Sequence, residues 1–501
     1  MDVEGQPKRS PVKLTRLALD QLPARIHKPK FNVANVQAGI VHLGVGAFHR
    51  SHMARYMHNL MDIRPDACKW GIIGAGLTPA DDLVDKALAP QDFLYTLIER
   101  NGVSDNISVI GSLAGFISAH KDSGRLIQAM CDPAVKIVSL TVTPNGYCLN
   151  PATRRLDFTN PMIVRDVAAP REPGSAIGVL TEAYRRRKIA GLEPFTAVSC
   201  DNVPHNGRVL RNAVLDYAEL FDRGLADWIG LTACFPNTMV DRITPATVAA
   251  DIERLASDYG IVDNWPVVSE EFSQWVVEDK FGGERPELER VGVQFVENVF
   301  PYEMMKLRLL NGSHLAVAVL GRLMGFQHVD EAMGNENIRR FMIALMDRET
   351  GPTLLPVPGI DLGGYKATLV ERFRNPAIKD HLERINTDAP LNVLVDPAID
   401  RLERGASVDL LALAMAAWIR RIRGKDEQGK KIEIQHPLAK QLLSRAAEGG
   451  EDPRPILQIT QLFGELGANE HFIATTARWL RSLYTIGTEK TLDLASRELG
   501  F

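Results

Sequence analysis

Four short runs, GIVHL (39–43), WGIIGAG (70–76), KIVSLTV (136–142) and FTAVSC (195–200), are apolar at consecutive rather than alternate positions. A strand of that kind has both faces buried, which occurs almost only in parallel sheets covered by helices on each side. Between the runs lie helical signals, near Arg125–Met130 and across 175–191. This alternation predicts an α/β layer, doubly wound and of Rossmann type. After about residue 300 the periodicity turns helical, as in 309–325 and 407–424, and strand signals nearly vanish. A chain of 501 residues is too long for one comfortable core. We therefore expect two domains. Residues 1–297 would be α/β, with a mobile tail at about 1–12, and 298–501 would be mostly α-helical.

Bulk properties exclude several classes. A formal net charge of −4 argues against a nucleic-acid footprint. No apolar run approaches the roughly 20 residues that span a bilayer, and residues 1–14 lack the apolar stretch of a secretory signal. A cytoplasmic protein without a membrane partner is expected. Cys68, Cys131, Cys148, Cys200 and Cys234 form no CxxC pair, so a disulfide framework or structural zinc knot is not expected, and each reads as a small buried hydrophobe.

In GIVHLGVGAFHRSH, Gly44 and Gly46 follow a strand and precede a helix predicted from about Phe48. Glycines there allow a tight turn and close approach of backbone N–H groups to a pyrophosphate. The third position of GxGxxG is His49, so this is half a fingerprint, and glycine pairs also end strands for conformational reasons alone. After the second strand, Asp81 is the candidate acid for an adenosine ribose, with Asp82 read as a helix-terminal charge. No Lys or Arg stands between Leu77 and Asp85 to meet a 2′-phosphate, which favours NAD over NADP.

The segment YEMMKLRLLNGSHLAVAVLG (302–321) carries the chemistry. In an α-helix Lys306, Asn311 and His314 fall at about 0°, 140° and 80°, on one side of the cylinder. A desolvated lysine can act as a base on a secondary alcohol. An asparagine amide can stabilise the alkoxide, and His314 can orient the hydroxyl. Gly312 inside the run costs about 1 kcal/mol against alanine and predicts close approach of something to the backbone. Two readings compete: a solvated polar face with a C-cap, and the YxxxK spacing of Tyr302 and Lys306, which short-chain dehydrogenases place in the nucleotide domain.

GVGAFHRSH, SCDNVPHNG (199–207), FPNTMVDRITP (235–245) and KLRLLNGSH (306–314) together resemble the mannitol 2-dehydrogenase family of polyol-specific long-chain dehydrogenases. The likeness extends through 265–281, 356–362 and 372–385. It implies a zinc-independent NAD-linked oxidoreductase interconverting a polyol and a ketose, most simply D-mannitol and D-fructose. It assigns Lys306 as general base, Asn202 and Asn311 as the oxyanion hole, His314 to the reacting oxygen and Glu303 to proton relay. Gly44, Gly46, Phe48 and Asp81 would bind the cofactor, and Asp241 and Arg384 the substrate. Asn202 would come from the other domain, so an interdomain cleft closed by one helix is implied. The plain alternatives are a surface ion pair for Asp241 and Arg242, and a helix C-terminal charge for Arg384.

Two departures bear on the substrate. Pro144 replaces a glutamate frequent in the family's strand end TxTExGY, and INTDAPLNVLVDP (385–397) replaces a segment that usually carries a lysine. The second is closer to fructuronate (mannonate) oxidoreductases, for which Arg384, Lys379 or Arg374 could meet a carboxylate. D-arabinitol or D-sorbitol are further alternatives. A catalytically silent sugar sensor and a zinc-dependent alcohol dehydrogenase are alternatives of other classes. The resemblance implies a monomer, with a dimer open.

Overall fold

The computed structural model describes residues 11–150 and 153–501, apart from the side chain of Asp388, and the described residues divide into two compact units after Val299. Of the tail expected at about 1–12, residues 1–10 lie outside the described residues, whereas Val12 pairs as a strand with Ile261.

In the first unit β1 (Ala38–Leu43), β2 (Gly71–Gly76), β3 (Leu113–Ser118), β4 (Ile137–Leu140) and β5 (Thr196–Ser199) form one parallel sheet in the order β3-β2-β1-β4-β5. Four of these are the consecutive apolar runs. The fifth, β3, is LAGFIS at the sheet edge, where only Leu113 and Ile117 are buried, so it lacks their pattern. Neighbours along β1 go to opposite cores. Ile40 packs with Met57, Leu60 and Met61 of the helix Met53–Ile63, and Val41 with Leu126, Leu180 and Leu210 on the other face. Both faces are thus covered, as continuous hydrophobicity requires. The helices involved are α1 (Ala47–Ser51), α2 (Met53–Ile63), α3 (Ser123–Met130), α4 (Ala176–Ile189) and α5 (Asn206–Glu219). The strand order reverses between β1 and β4, which opens a crevice at their carboxyl ends. Beside this sheet Gln274–Glu278 lies between Thr238–Asp241, antiparallel, and Gln294–Val296, parallel. Tyr95–Arg100 likewise pairs with Asp105–Ile110 and Val267–Glu270.

The second unit is helical. Its described residues contain no strand, only the isolated bridges His328–His381 and Lys425–Lys431. One run comprises α6 (Phe300–Met305), a π-helical segment (Lys306–Asn311) and α7 (Gly312–Leu323). Every residue of α7 is buried, the mark of an interior helix. The unit also contains α8 (Leu362–Arg374), α9 (Leu382–Asp388), α10 (Asn392–Glu403), α11 (Asp409–Ile422) and α12 (Glu470–Thr485), of which α9 and α11 pack against α7. Among the described residues no helix is long and apolar enough to cross a membrane.

Candidate active site

At the carboxyl end of β1, Gly44 adopts φ +89°, and a Cβ on it would overlap the Thr141 carbonyl that follows β4. Only glycine fits a left-handed position so closely packed. A Cβ on Gly46, by contrast, would meet nothing within 4 Å. Its backbone is therefore open where it caps α1, and Phe48 lies half-buried one turn on, stacked on His52. These features form a cradle at the strand-order reversal that suits a dinucleotide phosphate.

The missing third glycine has a physical account. His49 is buried and stacks on His42 of β1, with ring centroids 3.5 Å apart and planes at 20°. His42 is held through Nδ1 by Ser139 (2.8 Å) and through Nε2 by Thr141 (2.9 Å). Burial depresses His42 to a pKa of about 3, and it also pushes His49 well down, so both rings are neutral near pH 7. Helix and strand approach through an imidazole stack where the full fingerprint uses a hydrogen atom.

Asp81 follows β2 in a 3-10 turn, where its Oδ2 accepts the Thr78 N–H (2.8 Å) and hydroxyl (2.9 Å). Its bonding to the turn runs through that one oxygen. Gly76 permits the approach, since a Cβ there would overlap the Asp81 Cβ. Asp82 pairs with Lys121 (2.5 Å) and faces His120 (3.7 Å), both just beyond β3. The cation absent from the local sequence is thus present in space, brought by an edge strand that the apolar pattern does not reveal.

Asn202 is exposed, on the loop after β5. Asp201 fixes that loop by accepting Val142 N–H (3.1 Å), Thr143 N–H (2.8 Å) and Tyr147 hydroxyl (2.9 Å). Burial raises its pKa against these bonds. Asn206 donates through Nδ2 to the carbonyls of Asp201 and Thr238 (3.1 Å each), tying the Asn202 loop to the strand ending at Asp241. Asp241 and Arg242 are only 3% and 6% exposed, and Arg242 bonds Glu99 (2.5 Å). The surface-pair alternative for them is therefore corrected. Asp201 and Asn206 both stand in SCDNVPHNG, but polar letters in a loop do not show which of them bind inward. Pro144 begins a 3-10 turn after β4.

In the second unit Lys306 and His314 are each 8% exposed, and Glu303 is buried one turn before Lys306. The solvated-face alternative fails on that burial. The expectation of a plain α-helix is also corrected, because Lys306–Asn311 is π-helical. A π turn holds one extra residue and retards the helix phase by about 100°. Asn311 moves from about 140° to about 40° of Lys306, and His314 to about −20°. The three groups share a narrower face than α geometry gives them. Gly312 has its close neighbour: a Cβ would lie 3.1 Å from the Val393 carbonyl at the start of α10. The divergent stretch 385–397 thus packs against this run. Arg308 pairs with Asp400 (2.6 Å) and donates to Thr353 O (3.0 Å), anchoring the other side of the π segment. Tyr302 donates to Pro358 O (2.7 Å), which gives its hydroxyl a structural partner.

Arg384 lies in the first turn of α9, so the C-terminal-charge alternative does not apply. It donates to Asp380 from Nε (3.0 Å) and Nη2 (2.6 Å), and Asp380 Oδ2 also lies 3.5 Å from His314 Nε2. Asp380, 3% exposed, was not singled out from the sequence. Its signal was the i, i+4 spacing to Arg384. Lys379 pairs with Asp330 (2.6 Å) and Arg374 with Glu371 (3.8 Å). The five cysteines are free thiols. Among the described residues no group of three or more His, Cys, Asp or Glu side chains is placed to hold a metal ion.

Comparison with known proteins covers almost the whole chain. Residues 38–290 match the mannitol dehydrogenase Rossmann domain and 298–484 the mannitol dehydrogenase C-terminal domain. A mannitol 2-dehydrogenase of Aspergillus fumigatus is 40% identical over 497 residues, 96% of this chain and 99% of that protein. A mannitol dehydrogenase of Saccharomyces cerevisiae is 41% identical over 465 residues, 92% of each chain. Among solved structures, Pseudomonas fluorescens mannitol 2-dehydrogenase in ternary complex with NAD and D-mannitol aligns with TM-score 0.90 and 39% identity, covering 97% of this chain and all of that one. A substrate-free D-sorbitol dehydrogenase aligns with TM-score 0.86 and 33% identity over 96% of this chain and all of that one. With a parallel sheet carrying the glycine turn, a helical run that holds buried Lys306 and His314 with half-buried Asn311, and both family domains matched in order, the chain belongs to the mannitol dehydrogenase family.

Proposed function

We propose that this NAD-dependent polyol dehydrogenase interconverts D-mannitol and D-fructose, with Lys306 as general base. The carrying observation is the buried lysine at the start of a π segment that turns Asn311 and His314 towards its own side of the helix. Gly44, Gly46, Phe48 and Asp81 would hold NAD, and the cradle at Gly44 and Gly46 fits it. NAD, when bound, supplies the hydride acceptor. As a neutral amine, Lys306 removes the hydroxyl proton of the secondary alcohol. Asn311, and Asn202 from the first unit, donate amide hydrogens to the oxygen as it gains negative charge. His314 orients that oxygen, and Glu303 hands the proton from Lys306 to solvent. Asp241 and Arg384 bind the remaining hydroxyls. In this reading residues 1–297 serve the cofactor, apart from Asn202 and Asp241, and 298–501 the substrate.

A neutral polyol is favoured over a uronate because each cation considered for the carboxylate already has an acid: Arg384 has Asp380, Lys379 has Asp330 and Arg374 has Glu371. The D-mannitol complex of the Pseudomonas fluorescens relative supports the same choice. The experiment is a panel of D-mannitol, D-sorbitol, D-arabinitol and D-mannonate with NAD and NADP in parallel. The highest kcat/KM is expected for D-mannitol with NAD, and a higher value for D-mannonate would overturn the assignment. We also propose a monomer, for which light scattering at 55.4 kDa is the check.

A further inference from the structure

We infer that Asp380 is a positioning residue that joins His314 and Arg384 into one preorganised unit and fixes which nitrogen of His314 carries the proton. The inference rests on the role given to His314 above. Asp380 has a buried carboxylate on a backbone that cannot drift. Its carbonyl accepts Val329 N–H (3.0 Å), the following Leu382 N–H bonds Gln327 O (3.0 Å), and His381 bridges to His328. The side chain makes a forked pair with Arg384, in which Nη2 reaches both oxygens, at 2.6 and 2.7 Å, and Nε reaches Oδ1 at 3.0 Å. Bidentate pairing of this kind fixes a carboxylate in orientation as well as position. The oxygen Oδ2 is thereby presented to His314 Nε2 at 3.5 Å, while Phe373 stacks on the imidazole at 4.5 Å between centroids.

Two neighbouring acids have cations of their own. Glu383 takes Arg322 at 3.1 Å and Arg421, and Asp330 takes Lys379 at 2.6 Å. Asp380 is the acid placed against the ring, at 3.5 Å from Nε2. An anion beside Nε2 keeps the hydrogen there and leaves Nδ1 with its lone pair. His314 then meets the substrate in one tautomer and one ring orientation, and Arg384 is held in register with it. For histidines that ligate metals, loss of such an outer partner typically costs about 10–100-fold, and a loss of that order is expected here.

The test compares Asp380→Asn and Asp380→Glu with the wild type in the full chain. D380N keeps the shape and removes the charge. We expect kcat for D-mannitol to fall at least ten-fold with KM for NAD unchanged, and D380E to recover a measurable part of the loss. Independently of turnover, ¹⁵N-histidine labelling, with the His314 signals assigned by His314→Gln, should show Nε2 protonated in the wild type and mixed tautomers in D380N. A Nδ1-protonated wild type overturns the inference, as does a folded D380N with unchanged kcat and unchanged ring shifts. Absence of polyol turnover in the wild type would instead count against the proposed function, and the ring shifts would still decide the role of Asp380.

Discussion

Lys306 sits in a closed helical interior, and at this scale its chemistry and its burial are inseparable. Burying an amine to 8% exposure carries a desolvation cost that leucine would not incur. Replacing it tests the base directly. Lys306→Ala should lower kcat for D-mannitol by about 10²–10⁴-fold, the usual worth of a general base. The KM for NAD and the thermal midpoint should stay near wild type, and a kcat within a factor of three would remove Lys306 from that role. Asp81 allows a second residue-level test. Its Oδ2 is used by Thr78 and, in the proposed function, its other oxygen would meet the ribose, while Lys121 stands beside the neighbouring Asp82. Asp81→Asn should raise the KM for NAD about ten-fold, since a charged hydrogen bond is worth about 1.5–3 kcal/mol. It should raise the KM for NADP far less, because the cation remains. Steady-state kinetics with both cofactors reads the ratio, and an unchanged ratio would exclude Asp81 from the ribose.

Between residue and fold stand the elements, and here sequence and structure part in instructive ways. The β1, β2, β4 and β5 strands were legible because burial on both faces forces consecutive apolar residues. The edge strand β3 was not, because its middle residues are only partly buried, whereas the other edge strand, β5, is buried throughout. Lys306, Asn311 and His314 were legible as interruptions of an apolar helix, whereas the π turn that aligns them was not. Nothing in local propensity asks for an i→i+5 bond; it is held by tertiary partners such as Asp400 and Thr353 on Arg308. Asp201, Asn206 and Asp380 escaped for the same reason, since their meaning lies in contacts across tens of residues. If the π turn aligns the site, relaxing it at constant length should misalign it. Arg308→Leu, which removes the bonds to Asp400 and Thr353 that hold the turn, should return the run to α geometry and rotate Asn311 by about 100° from Lys306. We expect kcat/KM for D-mannitol to drop by about 10² or more, with far-ultraviolet circular dichroism unchanged. Retained activity would mean that the π turn is incidental to the chemistry.

Across the whole molecule the buried titratable groups give the two units opposite responses to acid. In the first unit His42 has its pKa lowered from 6.5 to about 3 by burial. The unfolded chain therefore binds a proton that the folded one refuses between those values, so its contribution to stability is complete above pH 6.5 and is lost as pH falls. At pH 5 the loss is about 2 kcal/mol at 1.36 kcal/mol per pH unit. In the second unit Glu349 accepts the N–H groups of Leu410 and Leu411 at the start of α11, and burial lifts its pKa from 4.5 to about 7. The folded form then holds the extra proton between 7 and 4.5, so this unit gains stability over the same descent, by about 3 kcal/mol at pH 5. Hydrogen exchange read by mass spectrometry at pH 7.5 and 5.0, corrected for intrinsic rates, resolves the units by peptide. Protection of β1 and β4 should fall on acidification while that of α11 rises. His42→Gln should lessen the first trend, which His49 and His58, also lowered by burial, share, and Glu349→Gln should lessen the second, each alone, because the two groups lie in separate units. Acid responses of the same sign in both units, or variants that leave the trends unchanged, would show that other groups dominate the pH dependence.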